Sequence, residues 1–284
     1  MKAYDNTMLS AFQHCQRYYY YRHIRHLDTG GVGAATELGS AIHKGCEVWH
    51  LTGSQEEARK GFLDTWQESL DGGMKVSPDD IIFRSKEGGL LILQQYMETN
   101  PQVRMGSELV GVEQNFEIPL GEDVHYHGRM DIVWDWKGFG LIVIDWKTHK
   151  GNWRPPPPSP NNQITGYIHA IGEYFGRENV YGGGIHAIKV PTHKTLKKDW
   201  CENSEKLTTK SKVEIEVWKE ERMEVVRGIE RTIESGVWPM NAPKSCGDYG
   251  GCRYKELCDQ KVGLGNLFID SDRWVEKKWD PTDH

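Results

Sequence analysis

Two aspartates and a lysine lie close together in the middle of the chain and could perform metal-dependent chemistry. Asp131 ends the run Gly-Arg-Met-Asp, and Asp145 and Lys147 lie in Ile-Asp-Trp-Lys-Thr. Residues i and i+2 of a strand point to the same face, so Asp145 and Lys147 share a side while Trp146 points to the other. If the two segments pair as a hairpin around residues 137–139, both carboxylates come close enough to bind a hard divalent cation such as Mg²⁺. Lys147 could then orient or deprotonate an attacking water, or neutralise charge on a phosphate.

The alternative for the same residues is an ordinary ion pair between Asp145 and Lys147 at a strand end. Such a pair contributes at most about 1 kcal/mol when it is exposed. Two features favour a metal site instead. Asp145 follows the apolar run 141–144 rather than standing on a solvated face, and Asp131 arrives at hairpin spacing. Two acids and a lysine that converge from buried strands are uncommon in a purely structural role.

Cysteines form a second candidate site. Cys246, Cys252 and Cys258 fall within thirteen residues, and Cys15, inside an aromatic and basic segment near the other end, is the candidate for a fourth ligand. Four thiolates select a 4Fe-4S cluster or Zn²⁺. The alternative is a set of reduced cysteines that bind nothing.

The elements that must position these residues alternate between helices and strands. Helical spacing continues on both sides of a glycine-rich break at 30–33, which puts Gly39 and His43 in the opening turns of the second helix. Residues 55–100 have the pattern of surface helices, and no chemistry is expected there. From Glu108 the β-branched and alternating pattern predicts strands, of which 141–144 is an interior strand covered by helices on both sides.

A loop and further elements follow. Four consecutive prolines at 155–158 exclude a helix or a central strand. A helix resumes near Gln163, a strand covers 181–190, and an amphipathic helix spans about 211–234. The residues expected on the inward face of this last helix are Trp218, Val226, Ile229 and Ile233.

Composition and charge limit the class of protein. The chain has 284 residues, 37% of them hydrophobic, and a formal net charge of −6. This is a globular composition, and it argues against a generally polycationic nucleic-acid coat or a basic membrane-surface protein. No stretch approaches the roughly 20 apolar residues of a membrane span, and residues 1–10 lack the apolar core of a signal peptide, so we expect a cytoplasmic protein without a membrane partner. In a reducing compartment disulfides are disfavoured, and the two cysteines outside the candidate set, Cys46 and Cys201, are expected to be free, with Cys46 in the core.

Four short motifs, in chain order, resemble those of the RecB-type nucleases of the PD-(D/E)XK superfamily. They are Gly39-Ser40-Ala41-Ile42-His43, Gly128-Arg129-Met130-Asp131, Asp145-Trp146-Lys147-Thr148 and Gln163-Ile164-Thr165-Gly166-Tyr167. Four motifs in this order are far more specific than any one of them. The resemblance covers most of the chain outside roughly residues 50–105, a helical insertion. It implies a single α/β nuclease domain over residues 1–284, with a mixed central sheet flanked by helices and a restriction-endonuclease-like core.

The resemblance also implies roles for individual residues. The ligands that it implies for Mg²⁺ or Mn²⁺ are His43, Asp131, Asp145 and the main-chain carbonyl of Trp146. Lys147 would act on the water. Gln163 and Tyr167 match a helical pair that faces the DNA strand and the active site, the alternative being a polar helix flank. The implied chemistry is phosphodiester hydrolysis that leaves 5′-phosphates, so we expect a DNA exonuclease in recombination or repair.

The cysteines extend the resemblance to the AddB-type and CRISPR-associated exonucleases of the same superfamily. These pair one cysteine before the nuclease core with three after it, around a 4Fe-4S cluster, which implies the same for Cys15 and the segment 246–258. The interval from Cys252 to Cys258 agrees with that pattern. Five residues separate Cys246 from Cys252, where the family commonly has two, and Zn²⁺ stays open as an alternative. Either group would tie together almost the whole chain.

An acidic chain that binds DNA needs local positive charge. A candidate cluster, with a solvated loop as its alternative, comprises Lys189, His193, Lys194, Lys197 and Lys198. Arg17 and Arg22 flank four consecutive tyrosines at 18–21, which could stack on single-stranded DNA or simply pack around the cysteine cluster.

The motifs that the sequence contains or lacks also bear on partners and on alternative functions. No Walker A motif occurs, so helicase action must come from a partner, a helicase or recombination protein. One rival function is a non-catalytic DNA-binding subunit of a recombination complex, against which the intact acids and Lys147 argue. The other is a metal-dependent hydrolase of a different phosphate ester, which would be favoured if DNA failed to compete for the site.

Overall fold

The computed structural model describes residues 1–29, 33–74, 84–150, 157–191, 204–247, 251–260 and 262–282. The chain divides into two compact units. The terminal unit comprises Met1–Gly30, Glu117–Gly128 and Glu216–His284, and the sheet unit comprises Gly31–Phe116 and Arg129–Ile215. No helix in the described ranges is long and apolar enough to cross a lipid bilayer.

Helices and strands alternate along the chain. The strands are β1 (Lys2–Asp5), β2 (Leu27–Thr29), β3 (Ser107–Gly121), β4 (Val124–Trp136), β5 (Gly140–Lys150), β6 (Val180–Val190), β7 (Ser204–Thr208) and β8 (Trp274–Glu276). The helices are α1 (Asn6–His14), α2 (Gln16–Tyr19), α3 (Ala34–Thr52), α4 (Gln55–Asp71), α5 (Lys86–Thr99), α6 (Asn162–Phe175), α7 (Lys212–Ser235), α8 (Lys244–Gly247) and α9 (Lys255–Asp259). A π-helical turn over Tyr20–Ile24 follows α2.

A mixed sheet forms the centre of the sheet unit. Its strands follow the order β4-β5-β6-β7, and β3 also pairs with β4. The β4–β5 pair is antiparallel, with Ile132 opposite Ile144 and Trp136 opposite Gly140, so the predicted hairpin turns at residues 137–139. Strands β5 and β6 run parallel, and α6 makes the connection between them that parallel strands require. The prediction of a mixed α/β sheet flanked by helices is confirmed.

Helices cover both faces of this sheet. A buried apolar cluster joins residues of α3, α4 and α5 to Ile132, Trp134, Ile144 and Trp146. On the other face α6 packs through Ile164 and Ile168, both fully buried. A Cβ at Gly183 would come within 3.0 Å of side-chain atoms of Val143 and Ile168, so the absence of a side chain at this position allows α6 to approach the sheet.

The terminal unit is built on shorter elements. Strand β1 pairs in parallel with the first residues of β4, Lys2 lying opposite Val124, and β2 pairs with β8. In α7 Trp218, Val226 and Ile229 are buried as predicted, but the expectation for Ile233 is wrong, because its side chain is 50% exposed. The buried stripe ends on Thr232 instead, one residue earlier, which agrees with the 3.6-residue helical period.

Candidate metal centre and cysteine cavity

The β4–β5 hairpin brings the two aspartates and the lysine to one place. Asp131 and Asp145 each lie one residue beyond the opposed pair Ile132 and Ile144. Asp145 is 1% exposed, and its two carboxylate oxygens lie 3.1 and 2.9 Å from Lys147 Nζ. Asp131 Oδ2 accepts a 2.6 Å hydrogen bond from the main-chain N–H of Trp146. The hairpin backbone therefore fixes the position of both carboxylates.

Helix α3 adds a histidine to this pair. A Cβ at Gly39 would meet Thr148 Oγ1 at 3.1 Å, so glycine allows the helix to pass close to β5 at this point. One turn later, His43 Nδ1 lies 3.7 Å from Asp131 Oδ2. The imidazole also hydrogen-bonds to the main chain of Trp146 and meets the Trp146 ring edge-on at 5.8 Å. The Gly-x-x-x-His spacing thus places its histidine beside the hairpin.

A third carboxylate, Glu113 on β3, was missed by the sequence analysis. One ligand atom from each of His43, Glu113 and Asp131 lies within 4.8 Å of the other two. Glu113 has a φ of +49°, a left-handed conformation that non-glycine residues seldom adopt and that concentrates at functional sites. Arg129 Nε lies 2.6 Å from its Oε2. The sequence offers one weak signal, an acid directly after the alternating valines of a predicted strand.

All three carboxyl groups have raised pKa values. Burial raises the pKa of Asp131 well above its usual value, and the nearby charges of Asp145 and Glu113 raise it further. Burial also raises the pKa of Asp145, against the opposing effect of Lys147, and the pKa of Glu113, against that of Arg129. Ionising these buried carboxyl groups therefore costs free energy, and a bound cation would reduce that cost.

The two basic groups hold opposite protonation states at neutral pH. Burial lowers the pKa of Lys147, but Asp145 and Asp131 outweigh that effect and the pKa is raised, so the side chain stays an ammonium. Burial, with Lys147 and Arg129, lowers the pKa of His43 to about 3. His43 is therefore a neutral imidazole, the form that binds metals.

This donor set fits a divalent ion. Carboxylate oxygens are the ligands preferred by Mg²⁺ and Mn²⁺, and an imidazole nitrogen is compatible with Mn²⁺. The ligand atoms of His43, Glu113 and Asp131 already lie close enough to share one ion. The implied ligand set also includes Asp145 and Trp146, which are not members of this group. The charge of Asp145 raises the pKa of Asp131, and the Trp146 N–H donates a hydrogen bond to Asp131 Oδ2.

Gln163 and Tyr167 lie one turn apart on α6 and contact each other. Gln163 Nε2 donates a 2.7 Å hydrogen bond to the Tyr167 hydroxyl. Tyr167 is only 5% exposed, and its ring meets Phe116 edge-on at 5.8 Å, whereas Gln163 is half-buried. Of the two side chains, Gln163 is the more exposed to solvent.

The four candidate cysteines of the terminal unit line one small cavity. Cys15, Cys246, Cys252 and Cys258 surround a space of about 20 Å³. Cys15 interrupts the predicted first helix, since α1 ends at His14 and Cys15 is extended, with φ −163°. Burial raises the pKa of Cys252 and of Cys258, and neighbouring thiols raise both further. A bound cation would offset the repulsion between the thiolates, as it would between the carboxylates.

Hydrogen bonds hold the two ends of the chain around this cavity. The His14 carbonyl accepts from Ser245 Oγ at 2.7 Å and from Asn241 Nδ2 at 2.8 Å. The Asn241 N–H points at Cys15 Sγ from 3.5 Å, and the Tyr21 hydroxyl lies 3.9 Å from Cys258 Sγ. The thiols are thus held in place by protein contacts.

The spacing of the sulfurs bears on the group that they could hold. Zn–S bonds of about 2.3 Å place the sulfurs of a tetrahedral site about 3.8 Å apart. Among the described side chains, the group around Glu113 is the only one of three or more metal-ligating residues with all ligand atoms within 4.8 Å of one another. No three of the described cysteine sulfurs therefore lie within 4.8 Å of one another.

The predicted DNA-contact residues have mixed outcomes. Tyr19 and Tyr21 are 2% and 0% exposed, so they pack in the interior and do not offer faces to bases. Arg17 Nε donates to the Trp238 carbonyl at 2.8 Å, and Arg22 forms an ion pair with Asp28. Lys189 lies on β6. Predictions that fall outside the described residues concern His193, Lys194, Lys197, Lys198, Cys201 and the prolines at 155 and 156.

Two solved structures resemble this one. A candidate exonuclease from Eubacterium rectale has a TM-score of 0.49 and 10% identity, over 92% of this chain and 88% of that one. A chain named SSO0001 has a TM-score of 0.33 and 15% identity, over 90% of this chain and 96% of that one. Comparison with curated proteins gave no match. Residues 6–259 match the family described as the PD-(D/E)XK nuclease superfamily, and the chain therefore belongs to that superfamily.

Proposed function

We propose that this protein is a Mg²⁺- or Mn²⁺-dependent DNA exonuclease. The observation that carries the proposal is the convergence of Asp131, Asp145 and Lys147 on one hairpin, beside His43. Two buried carboxylates with raised pKa values, an ammonium and a neutral imidazole form a set that suits hydrolysis of a phosphodiester.

Each residue has a definable part in this proposal. When bound, a divalent ion supplies a Lewis acid that lowers the pKa of water and offsets charge on the phosphate. His43, Asp131, Asp145, Glu113 and the Trp146 carbonyl are the candidate ligands. Lys147, held by Asp145 within 3.1 Å, orients the attacking water or neutralises the developing charge. Gln163 contacts the DNA strand, and Tyr167 holds the Gln163 side chain in position.

The four cysteines hold a 4Fe-4S cluster in this proposal. The cavity that all four line supports one shared group, and the interval from Cys252 to Cys258, which agrees with the pattern of the cluster-binding exonucleases, favours the cluster over Zn²⁺. The cluster would be a structural crosslink between the segment at Cys15 and the segment 246–258. Anaerobically purified protein should then absorb visible light and contain about equal amounts of iron and acid-labile sulfide. A colourless, zinc-loaded protein would replace the cluster with the alternative metal.

The biological role that we propose is processing of DNA ends in recombination or repair, in the cytoplasm. No Walker A motif occurs in the sequence, so strand separation would come from a partner helicase or recombination protein.

The decisive experiment compares linear and circular single-stranded DNA with internal and end labels. With Mn²⁺ or Mg²⁺ the wild-type protein should digest only linear DNA to short products with 5′-phosphates, and chelation should stop the reaction. Asp145→Asn, which keeps the shape of the side chain but removes its charge, should be inactive. Cleavage of circular DNA would make the protein an endonuclease. Binding of DNA without cleavage would favour the non-catalytic subunit.

A further inference from the structure

Arg129 on β4 lies beside the candidate metal centre and reaches the solvent. Residues two apart on a strand share a face, so Arg129 and Asp131 project from the same side of β4, about 7 Å apart along the strand. Asp131 is buried, but the Arg129 side chain is 46% exposed. A ligand that approaches from solvent can therefore contact the guanidinium.

The contact between Arg129 and Glu113 leaves the donors of the guanidinium available. Arg129 Nε lies 2.6 Å from Glu113 Oε2, but this oxygen is buried and accepts no hydrogen bond in the described structure. The two groups are thus held together by charge and not by an aligned hydrogen bond. Within the described residues the Arg129 side chain makes no other ion pair or hydrogen bond. Its planar fork of five N–H donors matches the oxygens of a phosphate.

Glu113 can neutralise either of two positive groups, Arg129 or a bound ion. One of its oxygens belongs to the group with His43 and Asp131 that could share an ion. In the ion-free protein the same carboxylate faces Arg129. A carboxylate that ligates a divalent cation interacts mainly with that cation, so it neutralises a neighbouring guanidinium less. Binding of an ion should therefore make Arg129 available to another anion.

The net charge of the centre changes sign when an ion is bound. Three carboxylates, those of Glu113, Asp131 and Asp145, oppose the two cations Arg129 and Lys147, so the ionised group carries one net negative charge. Such a group repels a phosphate. A divalent ion changes the balance to one net positive charge, which matches the single negative charge of a phosphodiester. DNA should therefore bind the ion-loaded centre better than the ion-free one.

Lys44 on α3 is a neighbouring cation that is already paired. Its side chain is 45% exposed, almost the same as that of Arg129. Burial raises the pKa of Glu113, and the charges of Arg129 and Lys44 oppose that rise, so both cations act on the same carboxylate. Lys44 Nζ, however, donates to both carboxylate oxygens of Glu47, at 3.0 and 2.8 Å. Binding of an ion to Glu113 therefore leaves the pairing of Lys44 unchanged.

We propose that Arg129 binds a backbone phosphate of the DNA strand, next to the phosphate at the metal centre, and that Glu113 releases Arg129 when a divalent ion is bound. The inference rests on the proposed nuclease function, since it takes DNA as the ligand. The guanidinium donates two N–H groups to the two non-bridging oxygens of that phosphate. Ion and DNA then raise each other's affinity, because each of them separates Glu113 from Arg129.

DNA binding in Mn²⁺ and in chelator tests the release of Arg129. Fluorescence anisotropy of a labelled single-stranded oligonucleotide is measured in the Lys147→Ala protein, whose slow cleavage leaves the DNA intact. In Mn²⁺, adding Arg129→Gln should lower the affinity about 10- to 100-fold, through the loss of charge-assisted hydrogen bonds. In chelator the same substitution should change the affinity little. Lys44→Gln, the matched control, should change it less than about threefold in either condition.

Two further substitutions separate the fork of the guanidinium from its charge. Arg129→Lys keeps the charge but lacks the bidentate geometry, so it should recover only part of the lost affinity. Glu113→Gln should raise the affinity in chelator, because Arg129 is then available without an ion. Adding Arg129→Gln to this variant should remove the increase. Melting curves establish that each variant is folded.

A neutral methylphosphonate, placed at one position of the strand at a time, locates the contact. In Mn²⁺ the methylphosphonate should lower the affinity at the positions where the protein binds a phosphate charge. At one of these positions the loss should disappear when Arg129→Gln is added, because the contact is already missing. The same loss should persist when Lys44→Gln is added.

Three results would overturn the inference. They are equal losses of affinity from Arg129→Gln and Lys44→Gln, a loss from Arg129→Gln that is the same in chelator as in Mn²⁺, and a methylphosphonate effect that Arg129→Gln leaves unchanged at every position. None of these measurements uses cleavage. A wild-type protein that binds DNA without cutting it would therefore overturn the exonuclease proposal alone.

Discussion

The carboxylate group and the cysteine cavity are built in opposite ways. Asp131, Asp145 and Lys147 come from one hairpin, and main-chain geometry places them whether or not an ion is bound. The thiols of Cys15 and Cys258 come from segments about 240 residues apart, and side-chain hydrogen bonds hold the ends together. Both sites concentrate groups that repel one another when ionised. A group bound by Cys15 and Cys258 would join segments about 240 residues apart, whereas His43 and Asp131 are separated by 88 residues.

The two sites are therefore expected to support different properties of the protein, the hairpin its chemistry and the cysteine cavity its stability. Removing a group from the hairpin should abolish hydrolysis and leave the fold intact. Removing a thiol should weaken the terminal unit and leave the carboxylates able to bind an ion. Four experiments test this separation.

The largest effect is expected from Lys147→Ala. We expect DNA cleavage to fall by about 10³-fold, because the variant lacks the group that orients the water or offsets charge in the transition state. Cleavage rate at saturating DNA is the measurement, and visible absorbance should not change. Lys137→Ala, at the exposed hairpin turn, is the matched control and should retain full activity. Equal activity in both variants would show that Lys147 is only a structural partner of Asp145.

The second effect is on stability. Cys258→Ser should abolish visible absorbance and lower the free energy of unfolding by about 2–4 kcal/mol, the typical contribution of a long-range crosslink. A chain of this size would lose roughly 5–10 °C in Tm. Cys46→Ser removes a buried thiol that does not line the cavity, and its absorbance should match that of wild type. Unchanged absorbance in Cys258→Ser would remove this residue from the ligand set.

The third effect depends on pH. The folded-state pKa values of Asp131, Asp145 and Glu113 lie above their unfolded values, so the ion-free protein loses stability as the pH rises through them. A divalent ion should offset that loss by about 2–3 kcal/mol at a hundredfold excess over its Kd. The rise in Tm on adding Mn²⁺ should therefore be greatest at neutral pH and disappear in acid.

Glu113→Gln sharpens the same measurement. It should raise the Tm of the ion-free protein, because one buried charge is gone, and reduce the response to Mn²⁺. A full response to Mn²⁺ in this variant would exclude Glu113 as a ligand. Cys258→Ser should keep its Mn²⁺ response if the two sites are independent.

The smallest effect is expected on α6. Gln163→Ala and Tyr167→Phe should each raise the KM for DNA about three- to tenfold, the loss of roughly one hydrogen bond, with little change in kcat. Tyr174→Phe, on an exposed position of the same helix, controls for the loss of a hydroxyl. A fall in kcat with unchanged KM would move Gln163 from DNA contact to the reaction itself.

Local patterns predicted much of the fold. The hairpin turn at 137–139, the buried strand 141–144 and the apolar face of α6 follow from alternation and from 3.6-residue spacing, which depend on near neighbours. Such patterns do not show where a helix ends because of contacts with a distant part of the chain. Cys15 interrupts a continuous helical pattern without a glycine or proline, because its thiol faces a cavity formed by the other end of the chain.

The same limit applies to the sites. The four motifs located the hairpin acids and His43, since motif order carries information about distant contacts. Glu113 has no motif of its own, and it reaches the group through the pairing of β3 with β4 and a left-handed backbone. Tyr96 lies in the segment 55–100, for which only surface helices were predicted, and its side chain lines a cavity of about 390 Å³ in the sheet unit. The sequence of an amphipathic helix does not show which of its residues line a cavity.

The separation of Cys15 from Cys258 also has a consequence during synthesis. Ribosomes add about 5–20 residues per second, so Cys15 leaves the exit tunnel on the order of ten to fifty seconds before its last partner is made. During that interval the early thiol has no enclosing pocket and can meet cellular oxidants or competing metals. If the thiols bind the proposed group, they can enclose it only after Cys258 has been made, when the whole sheet unit has already been synthesised.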